Sequence, residues 1–200
     1  AGGQEEYVFT KRMVEVACEI AINHGPSLAP DTVLCSRFAA LMNRLGTYPC
    51  VSVPSLCLSY WSAQVECRRN AARDPSTARP VSLEAESRSI FVRTWVGRMV
   101  PSSSGMTPLD ELEYVDEEEW AQARAASHVR FLELVRKLTA EEPREMMLQV
   151  GGMWQAALHA AGAQQDKAHG GSDPATLPQL EVAHTVLGKL VESLPTWVVG

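Results

Sequence analysis

The chain has 200 residues, of which 46% are hydrophobic and 21% charged, and this length and composition are those of one ordinary globular domain. Wholesale disorder, collagen-like repeats and a disulfide-dense scaffold are therefore excluded. Two long uncharged runs, 45–65 and 146–165, are interrupted by Pro49 and Pro54 or by Gly151 and Gly152, so no membrane span is predicted.

Charge is distributed unevenly around a net value of −6. Segment 51–105 holds seven arginines against four carboxylates (+3), whereas segment 106–145 holds five basic against eleven acidic residues (−6). A contact with RNA or another polyanion is therefore predicted in the first of these segments. The candidate phosphate contacts are Arg68, Arg69, Arg73 and Arg79. Pairing of these arginines with nearby carboxylates on the surface is the alternative interpretation.

The five cysteines and the start of the chain both bear on the cell compartment. The cysteines form no C-x-x-C pair and lie in or beside apolar stretches, which predicts buried thiols, no zinc site and a reducing compartment. The chain begins Ala-Gly-Gly instead of Met. Such a start is expected after removal of a mitochondrial presequence, and it is equally expected of a truncated chain.

Apolar residues recur at helical spacing along the chain, and this periodicity predicts an all-α fold. In the first half, the predicted helices cover about 5–23, 31–45, 55–72 and 82–99. Asp31 is a predicted N-cap, while His24-Gly25-Pro26 and Gly46 are predicted helix ends. The predicted apolar stripe of the first helix consists of Val8, Phe9, Met13, Val16 and Ile20.

Pro101-Ser-Ser-Ser-Gly105 resembles a linker, which predicts an N-terminal helical-hairpin segment, 1–104, and a C-terminal helical segment, 105–200, packed on it. One single domain over the whole chain is the alternative. Thr107-Pro-Leu-Asp110 has the pattern of a capping box, and Asp116 with Glu119 offers a second helix start. The remaining predicted helices cover about 117–138, 143–165 and 177–194. The apolar end of the chain is a predicted partner contact through Trp197, Val198 and Val199.

Gly25-x4-Pro30-Asp31, followed fifteen residues later by Gly46, resembles the first helix of a pentatricopeptide repeat. The resemblance covers residues 25–46. It implies a short, degenerate array of stacked antiparallel helical hairpins, in which Ser36 takes the position that reads a base. The chain departs from the family at turn 47–54, which is longer than the family's, and at loop 73–80, which lacks Pro-Asp.

The sequence carries no H-E-x-x-H, G-x-S-x-G, Walker-type or G-x-G-x-x-G string. The acidic run from Asp110 to Glu119 is predicted to be a solvated helix start instead of a cation site or an acid–base pair, and His128 is predicted to lie in the core. We therefore expect no catalytic residues, no cofactor, no metal and no small-molecule substrate.

The resemblance, the start of the chain and the free cysteines together imply a non-catalytic accessory subunit of a mitochondrial matrix assembly, most of all the mitochondrial ribosome. Its expected partners are protein subunits, with a local rRNA contact. The net charge of −6 argues against contact with rRNA over a large surface. It favours a peripheral position in which the chain contacts mainly other proteins. The alternatives are an accessory subunit of the F1 ATP synthase or a respiratory complex, and an organellar RNA-binding repeat protein.

Overall fold

The fold is that of a computed structural model, which describes residues 2–28, 31–73, 85–100, 105–167 and 176–193. Within these residues the chain contains no strand, so the predicted all-α class is confirmed. None of the helices there is long and apolar enough to cross a bilayer. The helices are α1 (Gly2–Leu28), α2 (Thr32–Leu45), α3 (Ser52–Arg73), α4 (Ala85–Met99), α5 (Glu117–Glu141), α6 (Pro143–Lys167) and α7 (Thr176–Glu192), and a 3-10 turn spans Asp110–Leu112.

Contacts divide the chain into two compact units. Unit 1 comprises Ala1–Phe91 and Ser103–Arg130, and unit 2 comprises Val92–Ser102 and Phe131–Gly200. In unit 1, α1 packs along α3, and α2 packs against both. In unit 2, α6 packs along α7. The sequence-based division places 105–200 in a single segment, whereas the first part of that range, to Arg130, belongs to unit 1.

Helix α1 differs from its prediction in its end and in the face that it buries. It continues past Gly25 and Pro26 to Leu28, although Pro26 has no backbone N–H to donate to the carbonyl of Ile22. Its predicted apolar stripe is exposed, with Phe9 at 66%. The buried residues of α1 are instead Tyr7, Val14, Cys18 and Ala21.

Helix α2 begins and ends where it was predicted to. The Asp31 carboxylate accepts a hydrogen bond from the Leu34 N–H at 2.9 Å, and Gly46 follows the last helical residue. Gly46 has φ −59°, so the helix ends without the left-handed conformation that a closing glycine often supplies. Helix α3 starts at Ser52, earlier than predicted, because Pro54 lies in the first turn, where a backbone N–H has no partner to lose.

Aromatic side chains form much of the core of each unit. In unit 1, Trp61 is 2% exposed and its ring centroid lies 4.9 Å from that of Phe91. In unit 2, Trp95 stacks on Phe131 at 5.7 Å. The core also contains Leu58 and Val65 of α3 and Phe131, Val135 and Leu138 of α5. His128, which was predicted to lie in the core, is only half-buried.

Candidate functional site

A group of polar side chains lies in unit 1 where α1 and residues 107–114 meet the N-terminus of α3. We call it the α3 cap cluster, and it consists of Tyr7, Lys11, Ser52, Asp110, Glu113 and Tyr114. Tyr7 and Asp110 are each 2% exposed, while the other members are half-buried. Burying a polar group costs free energy unless the group is hydrogen-bonded, so the hydrogen bonds inside the cluster determine whether it stabilises unit 1.

The two carboxylate oxygens of Asp110 accept hydrogen bonds from two different parts of the chain. Oδ2 accepts from the Thr107 N–H at 3.1 Å, while Thr107 Oγ1 accepts from the Asp110 N–H at 3.2 Å, so the predicted capping box is formed. Oδ1 accepts from the Val51 N–H at 2.7 Å. Because the Val51 carbonyl accepts the first backbone hydrogen bond of α3, from Ser55, Asp110 caps α3 from a distant part of the chain.

Glu113 lies beside Asp110 and binds both neighbouring helices. Its carboxylate pairs with Lys11 of α1 and accepts from the hydroxyl of Ser52, the first residue of α3. Burial alone would raise the pKa of Glu113, but the hydrogen bonds from Lys11 and Ser52, together with the nearby Tyr7 hydroxyl, outweigh burial and lower it. Glu113 is therefore held as a carboxylate near the positive end of the α3 dipole, which suits a structural anion better than a general base.

The two tyrosines of the cluster keep their protons. Burial raises the pKa of the Tyr7 phenol, and it raises that of Tyr114 as well. The Tyr114 hydroxyl lies 3.1 Å from Ser52 Oγ. The Tyr7 hydroxyl is close enough to Glu113 to help lower its pKa, yet it makes no well-aligned hydrogen bond. Phenols that keep their protons are neutral and are not activated nucleophiles.

Two of the cysteines, Cys18 and Cys35, are not activated nucleophiles. Cys18, Cys35, Cys50 and Cys57 are buried as predicted, and Cys67 is half-buried. Burial raises the pKa of Cys18 to about 11, and it also raises that of Cys35. Since the thiolate is the reactive form, these two thiols are inert near neutral pH.

Helix α2 bears an open groove of about 460 Å³ on one face, lined by Thr32, Val33, Ser36, Arg37 and Ala40. Ser36, the position that the repeat resemblance assigns to base reading, is half-buried within it. Val33 is 62% exposed. A single helix lines this groove, so it is suited to contact with a large partner and does not enclose a small ligand.

The predicted phosphate contacts divide into two that the structure describes and two that it does not. Arg68 and Arg69 lie half-buried on α3, and the Arg69 guanidinium is 3.7 Å from the Glu66 carboxylate, an exposed ion pair within one helix. The side chain of Arg73, all of Arg79, and the predicted partner contacts Trp197, Val198 and Val199 lie outside the described residues. RNA binding by this face stays a prediction.

Two further arginines of the basic segment are not available as free phosphate contacts. Arg88 is 4% exposed, so its side chain is part of the interior of unit 1. The Arg98 guanidinium lies 5.9 Å from the ring centroid of Trp95 in a cation–π arrangement. Part of the positive charge counted along segment 51–105 is therefore engaged in contacts within the fold.

The prediction of a solvated acidic helix start is right for Asp116 to Glu119 and wrong for Asp110 and Glu113. Asp116 to Glu119 are exposed, whereas Asp110 and Glu113 lie inside the α3 cap cluster. In the described part of the chain, no group of three or more histidine, cysteine, aspartate and glutamate side chains is placed to hold a metal ion. The Thr107–Asp110 spacing was the one signal in the sequence that pointed to this site.

Comparison of the chain with protein-family models, with curated proteins and with solved structures found no match. The pentatricopeptide resemblance of residues 25–46, the mitochondrial location and the absence of catalysis thus rest on the residues alone and stay predictions. What the geometry itself provides is a polar cluster that holds α1, α3 and residues 107–114 together, and exposed helix faces.

Proposed function

We propose that the protein is a non-catalytic accessory subunit of a mitochondrial multiprotein assembly, most of all the mitochondrial ribosome, and that it binds its neighbours through exposed helix faces. One observation carries the proposal. Large apolar side chains lie exposed on six of the described helices, and the most exposed of them include Phe9 (66%), Val33 (62%), Val129 (66%) and Leu148 (65%).

Single exposed apolar residues are ordinary, but sets at helical spacing are typical of a surface that a neighbour covers. Helix α1 has such a set from Val8 to Ile20, and α2 exposes Val33 and Leu41 on either side of its groove residue Arg37. The hydrogen bonds of the α3 cap cluster hold α1, α3 and residues 107–114 together. Contact through the helix faces is accordingly the activity that the geometry supports best.

Net charge supports protein neighbours over extensive RNA contact. The chain carries six more acidic than basic residues, and a protein that coats rRNA neutralises phosphates with lysine and arginine. A peripheral position in the particle, with most contacts made to other subunits, is consistent with both the exposed apolar faces and the negative net charge.

The test is to tag the protein at its own locus and follow it through density gradients of a mitochondrial lysate, with and without nuclease. The proposal expects the tag to sediment with ribosomal particles, to shift after nuclease treatment, and to enrich ribosomal subunits on purification. A tag that follows ATPase activity on native gels, unchanged by nuclease, contradicts the ribosomal assignment and points to the ATP synthase alternative. A tag recovered with RNA but without ribosomal subunits supports the free RNA-binding alternative.

A further inference from the structure

The outward face of α1 has the spacing of a coiled-coil seam. Phe9, Met13, Val16 and Ile20 follow one another at intervals of four, three and four residues, which is the a/d pattern of a heptad. They are 66%, 53%, 54% and 40% exposed. The residues by which α1 packs into unit 1 occupy b and f positions of the same heptad, on the opposite side of the helix, and are Tyr7, Val14, Cys18 and Ala21.

We propose that this α1 seam pairs with the α1 seam of a second copy of the chain in an antiparallel arrangement. The order of intervals, four-three-four, is the same when it is read backwards. Antiparallel pairing therefore places Phe9 opposite Ile20 of the second copy and Met13 opposite its Val16, in four successive apolar layers. The proposal goes beyond membership of an assembly: it assigns the α1 face to a second copy and leaves exposed residues of the other helices, such as Val33, Val129 and Leu148, for neighbouring subunits.

The charges beside the seam are complementary in this same register. Arg12 and Glu19 both occupy g positions, and g positions of two antiparallel helices face each other. Arg12 of each copy thus meets Glu19 of the other, twice per dimer. Within one chain Arg12 pairs with Glu15 at 2.6 Å, but the Arg12 side chain is 76% exposed, so this weak pair is readily exchanged.

Polar residues end the seam on both sides. The next a and d positions are Glu6 and Asn23, which lie opposite each other when Met13 faces Val16. The Asn23 amide, which donates to Glu19 at 2.7 Å in a single chain, can donate instead to the Glu6 carboxylate of the second copy. Sliding by one heptad would bury these polar groups against apolar ones, so the ends fix the register.

A second copy fits this surface better than a membrane or a nucleic acid does. Helix α1 carries the carboxylates Glu5, Glu6, Glu15 and Glu19 against Lys11 and Arg12, a net charge of −2, whereas membrane-surface and RNA-binding helices are basic. Helix α1 is already held in place by α3, so pairing does not have to supply the free energy of helix formation.

The mass of the purified full chain in solution tests the proposal. Sedimentation equilibrium should show a concentration-dependent change from 21.9 kDa to twice that mass. Met13→Glu places one charge from each copy in the seam and should abolish the dimer, with an unchanged far-ultraviolet circular dichroism spectrum. Leu148→Glu, at an equally exposed position of α6, is the matched control and should leave the dimer intact.

A charge exchange tests the register. Arg12→Glu and Glu19→Arg should each weaken the dimer by about tenfold, because each opposes like charges, and the double variant should recover most of that loss. A chain that stays monomeric up to about 100 μM, a concentration at which even weak association shows, overturns the proposal. So does a dimer that persists in Met13→Glu. A double variant no better than either single one overturns the antiparallel register.

Discussion

Asp110 accepts three hydrogen bonds while only 2% of its surface is exposed, from the Val51 N–H and from the N–H and hydroxyl of Thr107. Asp110→Ala leaves the Val51 and Thr107 N–H groups without this acceptor, whereas the Thr107 hydroxyl can still donate to the Pro49 carbonyl at 2.9 Å. We expect a loss of about 3 kcal/mol in the free energy of unfolding, since each buried unsatisfied group costs about 1–3 kcal/mol. Urea denaturation followed by circular dichroism measures the loss.

The matched control for this variant is Glu111→Ala. Glu111 is the next residue in the chain, carries the same charge and is exposed. Surface substitutions of this kind usually change stability by less than about 0.5 kcal/mol. Equal losses in the two variants would mean that the negative charge of the segment matters and that the specific contacts of Asp110 do not.

Glu113 makes unit 1 sensitive to acid. Because the pKa of Glu113 is lowered in the folded protein, its contribution is complete above the unfolded value of about 4.3 and is lost as the pH falls through the folded value. Glu113→Gln removes that contribution at all pH values. The difference in unfolding free energy between the wild type and this variant should therefore be larger at pH 7 than at pH 3.5, as measured by urea denaturation at both values.

The opposite trend would contradict this assignment. If the unfolding free energy of the wild type rose relative to that of Glu113→Gln as the pH falls, the pKa of Glu113 would have to be raised in the folded protein. That is the direction that burial without partners would produce. Lys11→Met supplies a second check, because it removes the cation that pairs with Glu113 and should reduce the pH dependence of the wild type.

These two residues also mark the limit of what the sequence predicted about the site. The reciprocal bonds of Thr107 and Asp110 follow from local spacing, and that spacing is readable in any chain. The bond from Val51 to Asp110 joins residues 59 positions apart, and the pair of Lys11 with Glu113 joins residues 102 apart. No local pattern encodes either contact, so the acidic run was predicted to be entirely solvated.

Among the elements, α5 offers the clearest test of a helix cap. Asp116 Oδ1 accepts from the Glu119 N–H at 2.8 Å, and the Glu119 carboxylate accepts from the Val115 N–H at 2.9 Å. Asp116→Ala should therefore lower the free energy of unfolding by about 1 kcal/mol, whereas Asp116→Ser, which keeps an acceptor, should be nearly neutral. Thermal denaturation of the two variants side by side provides the measurement. Equal destabilisation would show that the charge on the dipole, and not the cap, is what stabilises α5.

Helix α1 shows why an element can be predicted while its packing face cannot. Periodicity places a helix there, but two apolar faces exist, one through Phe9 and Ile20 and one through Tyr7 and Cys18. The more hydrophobic face is the exposed one. The inner face is fixed by tertiary partners, namely the carbonyl of Leu56 for the Cys18 thiol and the Glu113 carboxylate for Lys11. Such partners are not visible in a hydrophobic pattern.

At the scale of the whole molecule, the division into units depends on where the segment after residue 102 returns. The linker-like composition of 101–105 favoured a boundary there, since serine, glycine and proline often separate domains. The contacts of Asp110 with Val51 and of Glu113 with Lys11 and Ser52 explain why residues up to Arg130 belong to unit 1 instead. Composition predicts a linker, whereas long-range hydrogen bonds decide to which unit the residues after it belong.

Under the proposed function, the overall balance of charge and exposed apolar surface predicts how binding to the assembly responds to salt. Phosphate contacts release counterions, so a protein held by six to ten of them loses about 10³–10⁵ in affinity between 50 and 200 mM salt. Apolar contacts such as those available to Val129 and Leu148 are not weakened by salt in this way. We expect the tagged protein to remain on its particle when the salt is raised over this range, as measured by its fraction in the particle peak of a density gradient. Release over that range would instead assign the attachment to an RNA-facing basic surface, and the variant carrying Arg68→Gln and Arg69→Gln would then be released at lower salt than the wild type.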